Sequence, residues 1–396
     1  MTLTSPGVPK SAYYVALDGL RAVAVIMVFF QHYGAGRAFL FGWGWTGVDI
    51  FFVLSGFLIT GILYDSQHKG HRYRDFYVRR TLRIFPLYYF IWAIVLLVAR
   101  LAHWQWNWRW ALWPVYLGNY ARFFFLHVPG DPYRFDKLTF GAPVSSWFGY
   151  PFHLYIGHFW SLCVEEQFYL IWPLIVYQVR RRETLIKICL AAVIFSPILR
   201  GILSVTLSPQ LLRMELFYRS LPTRLDALLI GGLVALSLRG PEEAMVRRLS
   251  RPLLLISAAL FVALYLIATK ALALPLDGSA SNWIGVFGFT IIDVFAAALI
   301  LECIHPGSAL GAALSWRPLR ALGIISYGFY VYHDLLHDVY SELAHRVSTE
   351  HPFAMTLLVA FTATLLIAAL SYRFLERPLL KLKDRFAGQV HRAPTV

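Results

Sequence analysis

The chain has 396 residues, of which 58% are hydrophobic and only 15% are charged. Soluble domains are usually about 45–50% apolar, so this composition excludes an ordinary soluble fold and indicates a membrane protein. The formal net charge is +14, but the basic residues cluster in short links between apolar stretches, at 68–83, 180–182, 247–251 and 376–385. This placement is typical of cytoplasmic loops, and it argues against a nucleic-acid partner.

Ten apolar stretches predict ten membrane-spanning helices. Their predicted bounds are 17–36, 44–64, 84–103, 158–179, 185–204, 217–238, 252–272, 284–304, 322–342 and 355–375. Several of them approach the roughly 20 residues that a helix needs to cross a bilayer. Lipid offers backbone groups no partners, so repeated spans of this kind predict an all-α polytopic bundle. Basic links follow every second helix, which predicts that both termini are cytoplasmic.

Another apolar segment, 113–125, is long enough to suggest an eleventh span. If this segment crossed the membrane, the basic link at 180–182 would lie outside, against the positive-inside rule. We therefore expect residues 104–157, rich in Trp, Tyr and Pro, to form a long outer loop with an interfacial or re-entrant piece. Because no internal repeat or linker is evident, a single integral domain over residues 1–396 is the simplest organisation.

The sequence offers little support for metal or nucleotide-fold chemistry. Cys163, Cys189 and Cys303 all lie in or at the ends of apolar stretches, which predicts neither a disulfide framework nor a paired-cysteine metal site. The chain contains no HExxH, P-loop or GxSxG pattern. We therefore expect no metal site.

The first predicted helix carries two ionisable residues that share a face. An ionisable side chain at the bilayer centre costs about 2.5–3.5 kcal/mol even on a lenient scale, so it is a functional hypothesis by default. Arg21 and His32 are eleven residues apart, which returns to nearly the same face about 16 Å further along the helix. The alternative is a snorkelling Arg21 and a His32 that only joins helices through a hydrogen bond.

The stretch HFWSLCVEEQFYLIWP places a histidine and two glutamates in an apolar helix. His158 and Glu165 are seven residues apart, about two helical turns, and Tyr169 follows Glu165 at i+4. We expect Glu165 to lie at a depth similar to that of His32, where a carboxylate could orient or charge-stabilise the imidazole. A structural pair between helices is the alternative, and it is the interpretation we favour for Glu166.

Three arginines lie together at the predicted start of the third helix. Arg79, Arg80 and Arg83 fall within about one turn. Planar guanidinium groups at a helix amino terminus suit a phosphate ligand. Topology-determining residues or contacts with anionic lipid would give the same pattern.

The remaining polar residues inside apolar stretches give weaker signals. Asp49 is a candidate for substrate binding, while Arg224 and Asp226 favour an interhelical charge pair over catalysis. His333 and Asp334 could equally line a polar cavity or serve packing. Four glycines are predicted to allow close helix approach: Gly47, Gly56, Gly231 and Gly232.

Six segments together resemble, in order, the landmarks of the acyltransferase family 3 membrane proteins. They are ALDGLRAVAVIMVFFQH, GVDIFFVLSGFLIT, RRTLRIFPLYY, HFWSLCVEEQFYLIWP, LGIISYGFYVYHDLL and SYRFLERPLL. The resemblance covers about residues 14–382. Its most specific parts are the basic residue with ten intervening positions before a histidine and the WSLxxExQFY segment.

The resemblance implies transfer of an acyl group, commonly acetyl from acetyl-CoA, to a hydroxyl of a carbohydrate or another surface or secreted molecule. By motif, Arg21 and His32 match the pair of residues in the family's first helix. Arg80 and Arg83 match its cytoplasmic basic motif, and Glu165 matches the glutamate of WSLxxExQFY. The same resemblance implies a multi-pass protein of the bacterial cytoplasmic membrane. Some relatives carry a fused SGNH-type domain, which we do not expect in this chain.

Geometry and resemblance together give a mechanistic hypothesis. CoA phosphates would contact the arginine cluster at 79–83, Arg21 would line the acyl-CoA path, and His32, held by Glu165, would act as general base. Tyr169 is a candidate oxyanion donor, and His158 would lie where the acceptor enters. A ternary complex and a covalent acyl intermediate are both compatible with the sequence.

Two other functions would also explain an apolar chain with ionisable residues inside its membrane-spanning stretches. A transporter or flippase of an anionic or lipid-linked glycan would also place ionisable residues in the membrane, although no inverted repeat is evident. A lipid-binding structural subunit is the third interpretation. Acceptor identity and acyl chain length stay open.

Overall fold

The structure is a computed structural model, and it describes residues 13–34, 43–101, 108–121, 137–140, 152–207, 216–267, 283–348, 350 and 352–386. Helices dominate these residues. In chain order they are α1 (Val15–Gly34), α2 (Thr46–Asp65), α3 (Arg72–Leu101), α4 (Trp160–Val179), α5 (Arg182–Thr206), α6 (Leu221–Ser237), α7 (Glu243–Leu266), α8 (Trp283–Ile304), α9 (Ala309–Leu314), α10 (Arg317–Ile324), α11 (Ser326–Leu335), α12 (His337–Val347), α13 (Pro352–Ser371) and α14 (Arg377–Phe386). A single π-helical turn, Tyr372–Glu376, joins α13 to α14.

Seven helical segments in the described part of the chain are long and apolar enough to cross a membrane. They are Val15–Gly34, Thr46–Asp65, Arg72–Leu101, Arg182–Thr206, Leu216–Ser237, Gly285–Ile304 and Pro352–Leu382. One face of α5 illustrates the pattern, since it exposes the side chains of Leu190, Ile194, Ile198, Ile202 and Val205, spaced to form a lipid-facing stripe. The chain is therefore an all-α polytopic membrane protein, whereas the count of ten spans and the cytoplasmic termini stay predictions.

Two compact units make up the chain. The first contains α1, α2, α4 to α10 and the segment 116–121. The second contains α3, the segment 108–115, a two-stranded hairpin and the helices from Tyr327 onward.

In the first unit, glycines allow α2 to touch its neighbours. A Cβ atom added at Gly56 would overlap the carbonyl oxygen of Leu228, and one added at Gly231 would overlap that of Val53. Gly47 meets the α1 backbone in the same way, and a Cβ at Gly232 would lie 2.9 Å from Thr60 Oγ1. The predicted close approach at all four glycines is confirmed, and it brings α2 and α6 into direct backbone contact.

Hydrogen bonds between side chains tie α2 to α4 within the same unit. Trp172 Nε1 donates to Thr60 Oγ1 at 2.9 Å, and the hydroxyls of Ser66 and Tyr177 lie 2.9 Å apart. Polar pairs of this kind give buried hydroxyl and indole groups the partners that lipid does not supply.

In the second unit, a short hairpin packs beside α12. Strand β1 (Lys137–Phe140) pairs antiparallel with β2 (Phe152–Tyr155), with Leu138 opposite Leu154. The sequence analysis did not predict these strands, because four-residue strands with few apolar positions leave little periodic signal. Tyr327 Oη donates to the carbonyl oxygen of Ile84 at 2.9 Å and so fixes the start of α11 against α3.

Two predicted helices differ from the observed ones. The third begins at Arg72, twelve residues before the predicted start at residue 84, because hydropathy marks the apolar span and not the first helical hydrogen bond. The predicted helix 322–342 is divided into α10, α11 and α12, with non-helical backbone at Ile325 and Leu336.

Other predictions fall partly outside the described residues. Residues 108–121 form two 3-10 turns, Trp108–Leu112 and Gly118–Tyr120, in place of a spanning helix. The remainder of the segment 113–125, like the carboxyl ends predicted for the first, third and seventh helices, lies outside the described residues.

Candidate active site

His32 lies in the last turn of α1 with its side chain exposed. Its Nδ1 atom is 2.9 Å from the carbonyl oxygen of Val28, one helical turn earlier. A carbonyl oxygen only accepts hydrogen bonds, so Nδ1 carries the proton of this bond. In the neutral ring the lone pair is then on Nε2, which gives His32 a nitrogen able to take a proton.

Arg21 lies on the same helix, three turns before His32, and is half-buried. The apolar residues of α1 that are fully buried include Ala22, Val25 and Phe29. Helix α1 packs closely on both sides of Arg21: a Cβ at Gly19 would overlap the carbonyl oxygen of Leu314. The α1 backbone next to Arg21 is therefore closely packed.

Glu165 and Glu166 lie in the second turn of α4 and are both half-buried. The helix begins at Trp160, and His158 precedes it in the 3-10 turn Gly157–Phe159. The predicted helical stripe from His158 to Glu165 is therefore wrong, because the seven-residue spacing does not run through one continuous α-helix.

Tyr169, one turn after Glu165, bonds to another helix. Its hydroxyl oxygen lies 2.5 Å from Ser55 Oγ on α2, and the pair is buried. Ser55 and Tyr169 belong to two of the motifs that carry the resemblance, GVDIFFVLSGFLIT and HFWSLCVEEQFYLIWP. This bond joins those motifs in space.

Gln167 was not singled out in the sequence, yet it anchors the segment before α4. Its Nε2 donates to the carbonyl oxygen of Tyr116 at 2.8 Å and to Asn119 Oδ1 at 2.9 Å. Asn119 Nδ2 in turn donates to the carbonyl oxygen of Arg219 at 2.9 Å. The signal was present, since Gln167 is the glutamine of the WSLxxExQFY segment.

The three arginines of the basic motif lie within α3 and are half-buried. Because α3 begins at Arg72, they follow its amino terminus by seven to eleven residues. The predicted contribution of a helix amino terminus to phosphate binding is therefore wrong, since that effect fades within the first turn. The guanidinium groups themselves remain available as charge donors to a phosphate.

Glu376 is a buried carboxylate of the second unit that the sequence analysis did not assign. It ends the π-helical turn, is 5% exposed and accepts a hydrogen bond from Ser371 Oγ at 3.3 Å. It also interacts electrostatically with Arg83. Single π-helical turns often occur at functional sites, and this turn belongs to the motif SYRFLERPLL.

His158 is buried within the second unit. Its Nε2 lies 3.1 Å from the carbonyl oxygen of Val331, and its Nδ1 lies 3.5 Å from Asp334 Oδ2. Tyr330 Oη donates to the His158 carbonyl oxygen at 2.7 Å, and the ring of His333 is 5.0 Å away. The Val331 carbonyl requires a proton on Nε2, so the lone pair of a neutral His158 faces Asp334 and not an open site.

A second Asp-His arrangement lies at the hairpin. Asp338 accepts from His153 Nδ1 at 2.7 Å and from Tyr155 Oη at 2.9 Å. Partial burial and the Asp338 carboxylate raise the pKa of Tyr155 above its ordinary range. Tyr155 therefore stays a hydrogen-bond donor, and the contacts fix β2 against α12.

Asp49 belongs to a group of five charged side chains within the first unit, which we call the buried ionic cluster. Its members are Asp49, Arg200, Arg224, Asp226 and Asp293, and none of them is exposed. Arg224 on α6 donates to Asp49 on α2, whereas Asp226 pairs with Arg200 on α5. Arg224 and Asp226 thus each form an interhelical pair with a different helix and not with one another.

Among the described residues, no three His, Cys, Asp or Glu side chains are arranged to hold a metal ion. The site residues predicted from the sequence include the imidazole of His32, the carboxylate of Glu165 and Arg21 in the first unit, and the arginines of α3 in the second. Acid–base catalysis and anion binding are the reactions that such groups support.

The sequence matches the profile of a known protein family. Residues 14–373 match the profile of the acyltransferase family 3, described as an acyltransferase domain. YrhL of Bacillus subtilis is 32% identical over 386 residues, covering 93% of this chain and 55% of YrhL. The peptidoglycan O-acetyltransferase OatA of Listeria monocytogenes is 30% identical over 93% of this chain and 56% of its own length.

The O-acetyltransferase OatA of Staphylococcus aureus is 28% identical over 93% of this chain and 57% of its own length. The chain thus spans about half the length of the curated relatives it matches. No solved structure matches it. Since the family profile extends over nearly all of the sequence, the chain belongs to the acyltransferase family 3.

Proposed function

We propose that this chain is a membrane O-acyltransferase that moves an acyl group, most simply acetyl, from acyl-CoA to a carbohydrate hydroxyl. The observation that carries the proposal is the hydrogen bond from His32 Nδ1 to the Val28 carbonyl. It leaves Nε2 as the basic nitrogen of an exposed ring, and His32 is the histidine that matches the first-helix pair by motif.

In the proposed reaction, His32 Nε2 takes the proton of the acceptor hydroxyl. The hydroxyl oxygen attacks the thioester carbonyl carbon, a C–O bond forms and the C–S bond breaks. The imidazolium then returns its proton to the departing thiolate, so the ester and the free thiol are both neutral at the reacting atoms. A covalent acyl intermediate is the alternative order of the same steps.

Glu165 is proposed to stabilise the imidazolium that forms during the reaction. The Val28 carbonyl already fixes the tautomer of His32, so charge stabilisation is the role left for a carboxylate. Tyr169 and Arg21 complete the proposed catalytic region, as an oxyanion donor and as a residue of the acyl-CoA path. Asp49 and His158 stay candidates for acceptor binding, although both side chains are buried and engaged.

The donor site is proposed to include Arg79, Arg80 and Arg83, whose guanidinium groups suit the phosphates of CoA. Glu376 would act as a positioning residue, since its interaction with Arg83 restricts that long side chain. The basic link at 68–83 supports a donor site on the cytoplasmic side of a bacterial inner membrane, and we propose that both termini are cytoplasmic.

The acceptor is proposed to be a cell-surface carbohydrate. The Listeria relative is named for peptidoglycan, which makes a muramic acid-containing glycan the first acceptor to test. We further propose one integral domain over the whole chain, with membrane lipid as its surrounding partner.

The proposal is tested with the full chain in lipid vesicles supplied with acetyl-CoA and glycan. We expect His32→Ala to reduce acetyl transfer about 10²- to 10⁴-fold, the usual contribution of a general base. His68→Ala is the matched control, because His68 is exposed in the turn after α2. Retained transfer in folded His32→Ala would refute the base, and glycan movement without thioester consumption would indicate a flippase.

A further inference from the structure

The buried ionic cluster contains more negative than positive groups. Three carboxyl groups, those of Asp49, Asp226 and Asp293, face two guanidinium groups, those of Arg200 and Arg224, and none of the five side chains is exposed. All three carboxyl groups interact electrostatically with Arg224. If every member were ionised, the cluster would carry one uncompensated negative charge in a water-excluded region, which is strongly unfavourable.

One half of the cluster is complete by itself. Arg200 donates to both carboxylate oxygens of Asp226, at 3.1 Å and 2.7 Å. Thr290 Oγ1 also donates to Asp226 Oδ2 at 2.7 Å, and Arg200 Nε donates to the carbonyl oxygen of Val286 at 3.1 Å. Asp226 is therefore a fully bonded carboxylate, and it has no need of a further cation or proton.

The other half is incomplete. Arg224 donates to Asp49 Oδ1, but within the described residues Asp49 Oδ2 and both carboxyl oxygens of Asp293 have no hydrogen-bond donor, and Nε and Nη1 of Arg224 have no acceptor. The carboxyl groups of Asp49 and Asp293 are close enough to interact electrostatically with one another. Two ionised carboxylates at such a distance repel, and neither supplies a donor to the other.

Among the described residues, no second cation donates a hydrogen bond to this pair. The Arg224 guanidinium lies over the ring of Phe289, at 4.2 Å from its centroid, and near those of Phe52 and Tyr218. Aromatic faces stabilise the guanidinium but donate nothing to a carboxylate. Arg200 is the remaining cation of the cluster; its hydrogen bonds to a carboxylate go to Asp226, and it acts on Asp293 only electrostatically.

We propose that Asp49 and Asp293 form a proton-binding site inside the first unit, with one proton held between their carboxyl groups. The bound proton supplies the missing donor, joins α2 to α8 and makes the cluster neutral: two guanidinium groups, two carboxylates and one un-ionised acid. A metal ion is the less suitable ligand, because no three metal-binding side chains among the described residues are arranged to hold one.

The direct test is infrared spectroscopy of the purified full chain at neutral pH. An un-ionised carboxyl group absorbs at higher frequency than a carboxylate, and its band shifts in heavy water. We expect the wild type minus Asp293→Asn difference spectrum to contain this band. Asp65→Asn is the control, since the exposed Asp65 pairs with Arg239 outside the cluster, and its difference spectrum should lack the band.

Asparagine is nearly isosteric with a protonated aspartic acid, so Asp293→Asn should fold and keep wild-type thermal stability. A folded Asp293→Asn protein whose difference spectrum lacks the band would overturn the proposal. Failure of Asp293→Asn to fold would also overturn it, because that result would show that the ionised form is required. Neither readout depends on acyl transfer, so the proton site can fail while the proposed activity stands.

Discussion

Arg200 and Asp226 form a two-bond ion pair, at 3.1 Å and 2.7 Å, between α5 and α6 with neither side chain exposed. Thr290 on α8 bonds to both partners, so the pair joins three helices. A buried charge pair that has all its hydrogen bonds holds one helix arrangement firmly, because any other arrangement leaves a charge unpaired.

The first prediction is that Asp226→Asn is strongly destabilising. Removing one partner leaves the Arg200 guanidinium buried without its counter-charge, which costs about 3–5 kcal/mol in comparable cases. Thermal unfolding in detergent should show a clear loss. The exposed Asp65 and the half-buried Arg239 form the matched pair, and Asp65→Asn should cost no more than about 1 kcal/mol. Equal losses in both variants would contradict this account.

Sequence patterns predicted the helices whose ends coincide with changes of hydropathy. The predicted start of α1 and both predicted bounds of α2 lie within about two residues of Val15 and of Thr46–Asp65. Hydropathy failed where helical structure continues through charged residues, as at the start of α3. It also failed where short breaks interrupt an apolar run, as at Ile325 and Leu336.

The residues of the candidate site could be predicted from the sequence, but their hydrogen-bond partners could not. The spacing of Arg21 and His32 gave a common face, whereas the Val28 carbonyl that fixes the His32 ring is a backbone group without a sequence signature. The sequence also did not predict which residues pair across helices: Arg224 bonds to Asp49, 175 positions away. Such contacts depend on tertiary packing, which single-sequence periodicity does not encode.

The second prediction concerns the contact between α2 and α6. Gly56→Ala should destabilise the protein, because the new methyl group would overlap the Leu228 carbonyl oxygen and force the helices apart. Overpacking of this kind costs about 1–3 kcal/mol. Gly70→Ala is the matched control, since a Cβ at Gly70 meets nothing within 4 Å. If thermal unfolding does not distinguish the two variants, the close contact is wrong.

The third prediction is a pH dependence at the start of α7. Arg182 donates to both carboxylate oxygens of Glu242, at 3.0 Å and 3.1 Å, and this bonding lowers the pKa of Glu242 from 4.5. When folding lowers a carboxyl pKa, the ionised group stabilises the folded state at every pH above its ordinary pKa. That stability is lost as the pH falls through the folded-state pKa. The melting temperature of Glu242→Gln should therefore fall less on acidification below pH 4.5 than that of the wild type.

The control for this pH effect is the neighbouring Glu243→Gln, which removes an exposed pair with Arg247. Its melting temperature should follow the wild-type acid dependence. If Glu242→Gln shows the full wild-type decrease instead, the Arg182–Glu242 pair contributes nothing to acid sensitivity.

The last prediction separates positioning from topology in the arginine motif of α3. If Arg83 binds a CoA phosphate and Glu376 positions it, Glu376→Gln should raise the KM for acetyl-CoA and leave kcat nearly unchanged, since binding and not chemistry is affected. Arg83→Ala should raise KM further, and the double variant should resemble Arg83→Ala alone, because a positioning residue has no effect once its target is gone.

Glu342→Gln, which removes the exposed pair with Arg346, should leave KM unchanged. Additive effects of the two substitutions on KM would mean that Glu376 acts through the packing of its π-helical turn. An unaltered KM in Arg83→Ala would mean that Arg83 contributes only to membrane topology.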